Sequence, residues 1–308
     1  MDAKILAIGH WLPDLVERAG VQRPIAVEAV GPSALAARAT HHAWRRTGLG
    51  RDVVDCIIFA TMTPDVTFPG AACYLQNELG CETVPALDVR SQCTGFLVAL
   101  SIAQHFVASG QYRGVLVAGG EVHSSGLEYE RYPEVARLFG DGAGVFLIGP
   151  GKAAIRSIVL HADGRHHRKF WCEYPASRQH PVRMTREDFG LDKHFPVLDF
   201  QAVAEFGREH LPAVVNEALD RGGLRASEAD AVVLSHVLPE VAHDAARTLR
   251  LSPEQTIVPS ERYGHLTAAA LPVAVSEALE AGRLRAGSKV VLAACGAGFA
   301  WGAAVVEL

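Results

Sequence analysis

Cys93 stands where "DVRSQCTGFLVALSIAQHFVASG" passes from an extended apolar stretch into a helical one. A thiol at such a junction can pack, bind a metal, cycle through redox states or act as a nucleophile. A helix start presents unpaired N–H groups and positive potential. That predicts a thiol pKa drawn from about 8.5 toward 7 or lower. Two histidines sit at comparable junctions: His236 closes the apolar run "DAVVLSH", and His265 opens "HLTAAALPVAVSEALEAG". A thiol flanked by two imidazoles could hold an acyl group as a thioester and manage protons and charge around it.

Only a fold that gathers three remote segments can assemble this group, and the chain contains an internal repeat suited to it. "GLGRDVVDCIIFAT" and "GLRASEADAVVLSH" lie 175 residues apart, and each sets an aspartate (Asp55, Asp230) before an apolar strand. A second match pairs the stretch from Cys93 with the stretch from His265, with Gly110 and Gly282 each seventeen residues on. Both halves close on a glycine cluster and a strand, "FGDGAGVFLIG" and "CGAGFAWGAAVVEL". Self-similarity of this kind marks a duplicated unit. We read an α/β chain of two halves, residues 1–150 with the nucleophile and 151–308 with the two histidines. Short β-branched runs such as "VDCIIFAT" and "KVVLAAC" read as strands buried on both faces. Helices are predicted over 33–47, 71–79, 94–109, 200–222, 239–250 and 267–281. Cys93 and His265 are assigned equivalent positions that meet at the pseudo-twofold axis, with His236 arriving from the adjacent strand end. Ligands in open α/β folds favour the carboxyl ends of strands.

Bulk properties exclude several classes. The chain has 308 residues, 49% of them hydrophobic, which suits two units of roughly 150 residues each. A net charge of −5 and a pI near 6.3 give no general attraction to nucleic acid or to an anionic membrane. No apolar window approaches the ~20 residues of a membrane span, and the start lacks the features of a signal peptide. A cytoplasmic protein is expected. The six cysteines form no C-x-x-C pair, so they are expected as reduced thiols, with Cys56 and Cys73 as small buried hydrophobes. His41, His42, His161, His166, His167, His180 and His194 show no metal-ligand spacing, and neither metal nor resident cofactor is expected. Arg165, Arg168 and Lys169 in "HADGRHHRKFW" either meet an anionic or phosphate-bearing partner or form a solvated basic turn. "FGDGAG" lacks the G-K-[ST] of a P-loop. Its glycines read as close packing, with Asp141 structural.

The motifs "KILAIGHWLP", "TFPGAACYLQNELG", "ALDVRSQCTGFLVALSIAQHFVASG", "RLFGDGAGVFLIG", "RYGHLTAAALPVAVSEALEAGRLRAG" and "GAGFAWGAAVVEL" together resemble a β-ketoacyl-acyl-carrier-protein synthase III, a condensing enzyme of the thiolase superfamily. The resemblance covers nearly the whole chain. It implies a thiolase-like fold, two duplicated βαβαβ-type halves packed as layers α-β-α-β-α. It maps the nucleophile to Cys93 and the first active-site histidine to His236. Where the family usually carries asparagine, this chain has His265, giving the Cys-His-His pattern of elongating condensing enzymes. The implied oxyanion hole is the N–H of Cys93 with that of Ala297, a position where alanine requires a negative φ. Phe68 matches an aromatic that closes the acyl pocket of a neighbouring subunit, which implies a homodimer. Cys295 and Phe299 fall near the implied pocket, and Cys295 stands where a larger aromatic is common, which suggests a roomier chamber and a primer longer than acetyl. A segment with a Trp and an Arg that grip coenzyme A in the family is missing after the first strand.

The activity implied is a decarboxylating condensation in fatty acid biosynthesis. An acyl-CoA primer, with medium-chain lengths included, acylates Cys93; malonyl-acyl carrier protein then gives a 3-oxoacyl thioester. Coenzyme A and phosphopantetheine thioesters are substrates in this reading. His265, unlike asparagine, is expected to titrate near neutral pH and narrow the pH optimum. Two alternatives stay open: acyl transfer to oxygen or nitrogen of a specialised metabolite, and a subunit of a heterodimeric condensing complex.

Overall fold

The computed structural model describes residues 2–152, 154–177 and 182–308; His180 lies outside them. The first half runs β1 (Ala3–Trp11), β2 (Leu15–Arg18), β3 (Val21–Pro24), α1 (Pro32–Thr47), β4 (Cys56–Ala60), α2 (Ala71–Leu79), β5 (Ala86–Val89), α3 (Gly95–Ala108), β6 (Val115–Glu121), α4 (Pro133–Ala136) and β7 (Gly142–Pro150). The second runs β8 (Ile155–Ala162), β9 (Phe170–Trp171), α5 (Arg186–Gly190), β10 (Val197–Leu198), α6 (Phe200–Gly222), β11 (Ala231–Ser235), α7 (Pro239–Thr248), β12 (Thr256–Ile257), α8 (Pro259–Tyr263), α9 (Ala270–Glu280), β13 (Lys289–Gly296) and β14 (Ala300–Glu307).

Two five-stranded sheets repeat one plan. The first has the order β1-β7-β6-β4-β5 and the second β8-β14-β13-β11-β12. In each, three parallel strands are extended by two antiparallel ones. The strands β4, β6, β11 and β13 are buried along nearly their whole length, as sheets covered on both faces require. Helices α1 and α2 cover the first sheet's outer face and α6 and α7 the second's, while α3 and α9 lie between the sheets. The layers are therefore α-β-α-β-α. Helix α3 is rich in Leu, Phe, Val and Ile around its circumference, the composition of a helix with no wet face. Each buried Leu or Phe there contributes about 1.5–3 kcal/mol.

The repeated aspartates have the same task in both halves. Asp55 accepts the N–H groups of Arg113 and Gly114 at 2.8 and 2.9 Å, just ahead of β6. Asp230 accepts the N–H of Lys289 at 2.7 Å, the first residue of β13. Each ties one parallel strand to the entry of the next.

The repeat also corrects one expected equivalence. Residue Cys56 pairs with Val115 and Ala231 with Val290, so the halves stay 175 positions apart through the strands. The turns before the central helices, Gln92–Thr94 and Thr267–Ala269, keep that spacing. The counterpart of Cys93 is therefore Ala268, not His265. Helix α3 has 14 residues and α9 has 11, which shifts Gly110 and Gly282 into the other spacing. His265 belongs to the loop before the turn. The predicted helices 94–109 and 267–281 are likewise each a 3-10 turn followed by a shorter α-helix. Helix α7 ends early because Arg250 takes φ +56°.

Cys56 is buried as expected, but Cys73 is exposed. Helix α2 turns Ala71, Ala72, Leu75 and Leu79 inward, and position 73 falls on the opposite side. The six cysteines are all unbridged. Among the described residues no helix is long and apolar enough to cross a membrane.

Candidate active site

The sulfur of Cys93 lies 3.1 Å from Nε2 of His265. Both residues are buried, at 2% and 0% exposure. Cys93 is the middle residue of its 3-10 turn. The residue before it, Gln92, has φ +43°, and its counterpart in the second half, Thr267, has φ +41°. A non-glycine residue in that region costs of order 1–3 kcal/mol and persists where its surroundings enforce it. The two turns face each other across the axis.

Strand β13 closes on the nucleophile. A Cβ at Gly296 would lie 2.1 Å from the Cys93 sulfur, so glycine is required for this approach. The next residue, Ala297, directs its N–H at the sulfur, as does the N–H of Cys93 itself. Ala297 is absent from the non-glycine residues with positive φ, so its Cβ is tolerated.

His236 follows β11 and is fully buried. Its Nδ1 lies 3.1 Å from the Leu238 N–H and 3.2 Å from the Leu238 carbonyl; in the tautomer that accepts from that N–H, Nε2 carries the proton. That Nε2 makes no well-aligned hydrogen bond in the described structure, though the Val203 backbone of α6 is near enough to act on the ring. A Cβ at Gly207 of α6 would lie 2.5 Å from it, so the missing side chain at 207 makes room for the ring. His236 is near enough to His265 for charge on one to act on the other, but the direct contact with sulfur belongs to His265.

The charge states differ from those expected. Burial pushes the Cys93 thiol up to about 12, against the lowering effect of the two N–H groups. A helix start cannot offset complete loss of solvent. Burial also lowers His236 to about 4 and His265 well below its ordinary value. Both rings are neutral through the neutral range, so His265 does not titrate there.

The carboxylate that does titrate near neutrality is one the residue pattern did not single out. Glu121 ends β6, is 0% exposed, and burial pushes it up to about 7. It accepts from the N–H groups of Met62 and Thr63 at 3.2 Å and from the Thr63 hydroxyl at 2.7 Å. It also accepts from Thr61 and Thr267. The Thr267 hydroxyl in turn meets Nε2 of buried His123 at 3.2 Å. An acid ending the apolar run "VLVAGGE" was the available signal.

The remaining expected site residues divide. Phe299 is buried in an apolar cluster with Val237, Leu238 and Phe139, and stacks on His166 with ring centres 5.4 Å apart. It walls the His236 side. Cys295 does not share the sulfur's face of the sheet. Val290, Leu292 and Ala294 face the central layer, whereas Val291, Ala293 and Cys295 pack toward α6. Strand alternation removes the basis for a chamber enlarged by Cys295. Phe68 projects from the surface at 82% exposure. Arg165 and Lys169 are already paired, with Asp163 at 2.5 Å and Asp199 at 2.9 Å, and Arg168 lies over the Trp171 ring. Asp141 is buried and accepts from Ala26 and Ser124, a structural tie. A cavity of about 490 Å³ bounded by Met62, Thr67, Arg90, Phe170 and His123 reaches Phe139, whose ring centre is 6.0 Å from that of His265.

One histidine cluster escaped sequence spacing. His10, His42 and Glu280 meet from β1, α1 and α9. His42 Nε2 lies 2.7 Å and Arg46 Nη1 3.4 Å from the same Glu280 oxygen, a salt-bridge knot between α1 and α9.

Duplicated halves, five layers and a cysteine at the axis define a thiolase-fold enzyme. The family model for 3-oxoacyl-[acyl-carrier-protein] synthase III matches residues 87–164, and the model for its C-terminal part matches residues 219–308. The β-ketoacyl-[acyl-carrier-protein] synthase III of Paramagnetospirillum magneticum is 35% identical, covering 99% of this chain and 92% of that protein. Its counterpart from Rhodospirillum centenum is 36% identical over 95% of this chain and 89% of that protein. The crystal structure of the Thermus thermophilus synthase III superposes with a TM-score of 0.88 at 29% identity, over 99% of this chain and 98% of that one. The chain belongs to the 3-oxoacyl-[acyl-carrier-protein] synthase III family of condensing transferases.

Proposed function

We propose that this chain joins an acyl thioester primer to malonyl-acyl carrier protein by decarboxylating condensation, through an acyl-Cys93 intermediate. The contact between the Cys93 sulfur and His265 Nε2 at 3.1 Å carries the proposal. With the thiol pushed up by burial, the sulfur reacts as its proton passes to His265 in the same step. The sulfur–acyl bond forms, the primer's carbon–sulfur bond breaks, and His265 returns the proton to the departing thiol. The N–H groups of Cys93 and Ala297 hold the negative oxygen of the tetrahedral intermediate, and one such donor is worth about 3 kcal/mol in comparable sites.

In the second half-reaction the malonyl carboxylate leaves as carbon dioxide and its electron pair passes to an enolate. His236, with its proton on Nε2, donates to that enolate oxygen, while His265, its Nε2 emptied in the first half-reaction, stays beside the sulfur. The enolate carbon attacks the acyl carbonyl, the Cys93 thiolate departs and takes up one proton from solvent, and a 3-oxoacyl thioester results. A neutral ring suits this role, since it donates without trapping the product as an ion pair. The enzyme works in the cytoplasm as a homodimer in which Phe68 reaches its partner. Coenzyme A or phosphopantetheine delivers each acyl group.

Intact-protein mass after mixing with an acyl-CoA should show one acyl adduct, mapped to Cys93. Adding malonyl-acyl carrier protein should discharge it with release of carbon dioxide. Absence of the adduct removes the proposal. An adduct discharged without decarboxylation reassigns the chain to acyl transfer onto oxygen or nitrogen.

A further inference from the structure

Glu121 poses a physical question that the proposed reaction does not answer. A fully buried carboxylate is costly unless donors surround it. Here the donors come from two separate parts of the site. Met62 and Thr63 belong to the loop that leads to Phe68 and walls the 490 Å³ cavity. Thr267 belongs to the turn just after His265 and has φ +41°. The halves stay 175 positions apart, so Glu121 occupies the place that Gly296 holds in the second half. Gly296 leaves space for the Cys93 sulfur. On the other side of the axis the same place holds a negative charge, close enough to act on that sulfur.

We infer that Glu121 is a positioning residue: through Thr267 it holds the turn that directly follows the His265 loop, and its charge sets how readily Cys93 releases a proton. The inference rests on Cys93 being the acylated nucleophile. When Glu121 is ionised, Thr267 donates its hydroxyl to the carboxylate and accepts from His123 Nε2. Protonating Glu121 removes the charge that the Thr267 hydroxyl answers and lifts the repulsion on the developing thiolate. Glu121 acts on Cys93 and reaches His123 through Thr267, with His265 on the far side of the sulfur contact and Asp141 beyond Ser124 on the β7 side. Burial holds His123 and His265 low, so the charge that changes near neutral pH is that of Glu121. A step that deprotonates Cys93 then responds to the protonation of a carboxylate that never touches substrate.

The test is iodoacetamide alkylation of Cys93 followed by mass against pH, a readout that needs neither primer nor condensation. Glu121→Gln should alkylate faster than wild type by about threefold above pH 8, half a pKa unit of relieved Coulomb repulsion, and at the same rate near pH 6. Glu121→Asp, which keeps the charge, should follow wild type. Alkylation of Cys295 in the same spectra reports unfolding and should stay at the wild-type level. Thr267→Val keeps the carboxylate but cuts its link to the His265 turn, and should lower the rate of acyl-Cys93 formation by about tenfold. Matching pH profiles for wild type and Glu121→Gln overturn the electrostatic claim. If Glu121→Gln does not fold, wild-type acylation by Thr267→Val overturns the positioning claim. A wild-type protein that alkylates but forms no acyl adduct instead counts against the proposed function.

Discussion

Gly296 lies against Cys93 with no room for a side chain between them: a Cβ on the glycine would sit 2.1 Å from the sulfur and 2.8 Å from the cysteine Cβ. The cysteine side chain is short and its turn is buried, so it has no direction in which to yield. Gly296→Ala should destabilise the fold by about 1–3 kcal/mol, the usual result of overpacking, and abolish acylation. Thermal melts and intact mass check both. Wild-type melting with a normal adduct would show that the sulfur can move aside.

Gly207 offers a way to separate the two half-reactions. A Cβ at this position would lie 2.5 Å from Nε2 of His236, and that nitrogen is assigned to the enolate rather than to the thiol. Gly207→Ala should leave the acyl-Cys93 adduct intact and slow decarboxylation by about 100-fold, the loss of one pre-aimed donor. Single-turnover mass for acylation and labelled carbon dioxide for condensation give the two rates. Equal losses in both would place His236 in the first step instead.

Stability should fall on the acid side because of buried neutral rings. Burial lowers His10 and His236 to about 4 and His123 to about 3 in the folded chain. Unfolding restores the ordinary value near 6.5. The unfolded state therefore binds more protons in this window, and stability rises with pH across it. The contribution is complete above about pH 6.5 and is lost progressively as pH falls toward 4, by up to about 1.4 kcal/mol per unit for each ring. Glu121 has the opposite sign: raised to about 7, it favours the folded state below about pH 4.5, and that advantage is lost as pH rises through 7. Urea midpoints at pH 7.5, 6.5 and 5.5 should decline, less steeply in His236→Gln. A constant midpoint would contradict the burial argument.

Asp55 and Asp230 should be comparable in the fold. Each secures the entry of a parallel strand through backbone N–H groups. Replacing either with alanine should cost about 1 kcal/mol, the net worth of such a bond, with no change in the pH dependence of acylation. Denaturant melts compare the two variants. A loss confined to one half would show that the repeat is conformational only.

The duplication and its buried strands were legible from residue types and spacing, because buried parallel strands leave continuous apolar runs and repeats leave matched intervals, while the five layers followed from the family resemblance. The same signals misled where local pattern was ambiguous. The glycines at 110 and 282 aligned Cys93 with His265, and only strand register showed that Ala268 is the counterpart. Cys295 looked like part of the pocket, until alternation along β13 turned it toward α6.

Sequence by itself determined which side chains could do chemistry here and that two similar halves would bring them together. Tertiary structure alone decided their state. Solvent exclusion raises the Cys93 thiol and silences both histidines, and it draws Glu121 into the site from the end of an ordinary strand. Those effects depend on distance and dielectric in three dimensions, and a linear order of residues specifies neither.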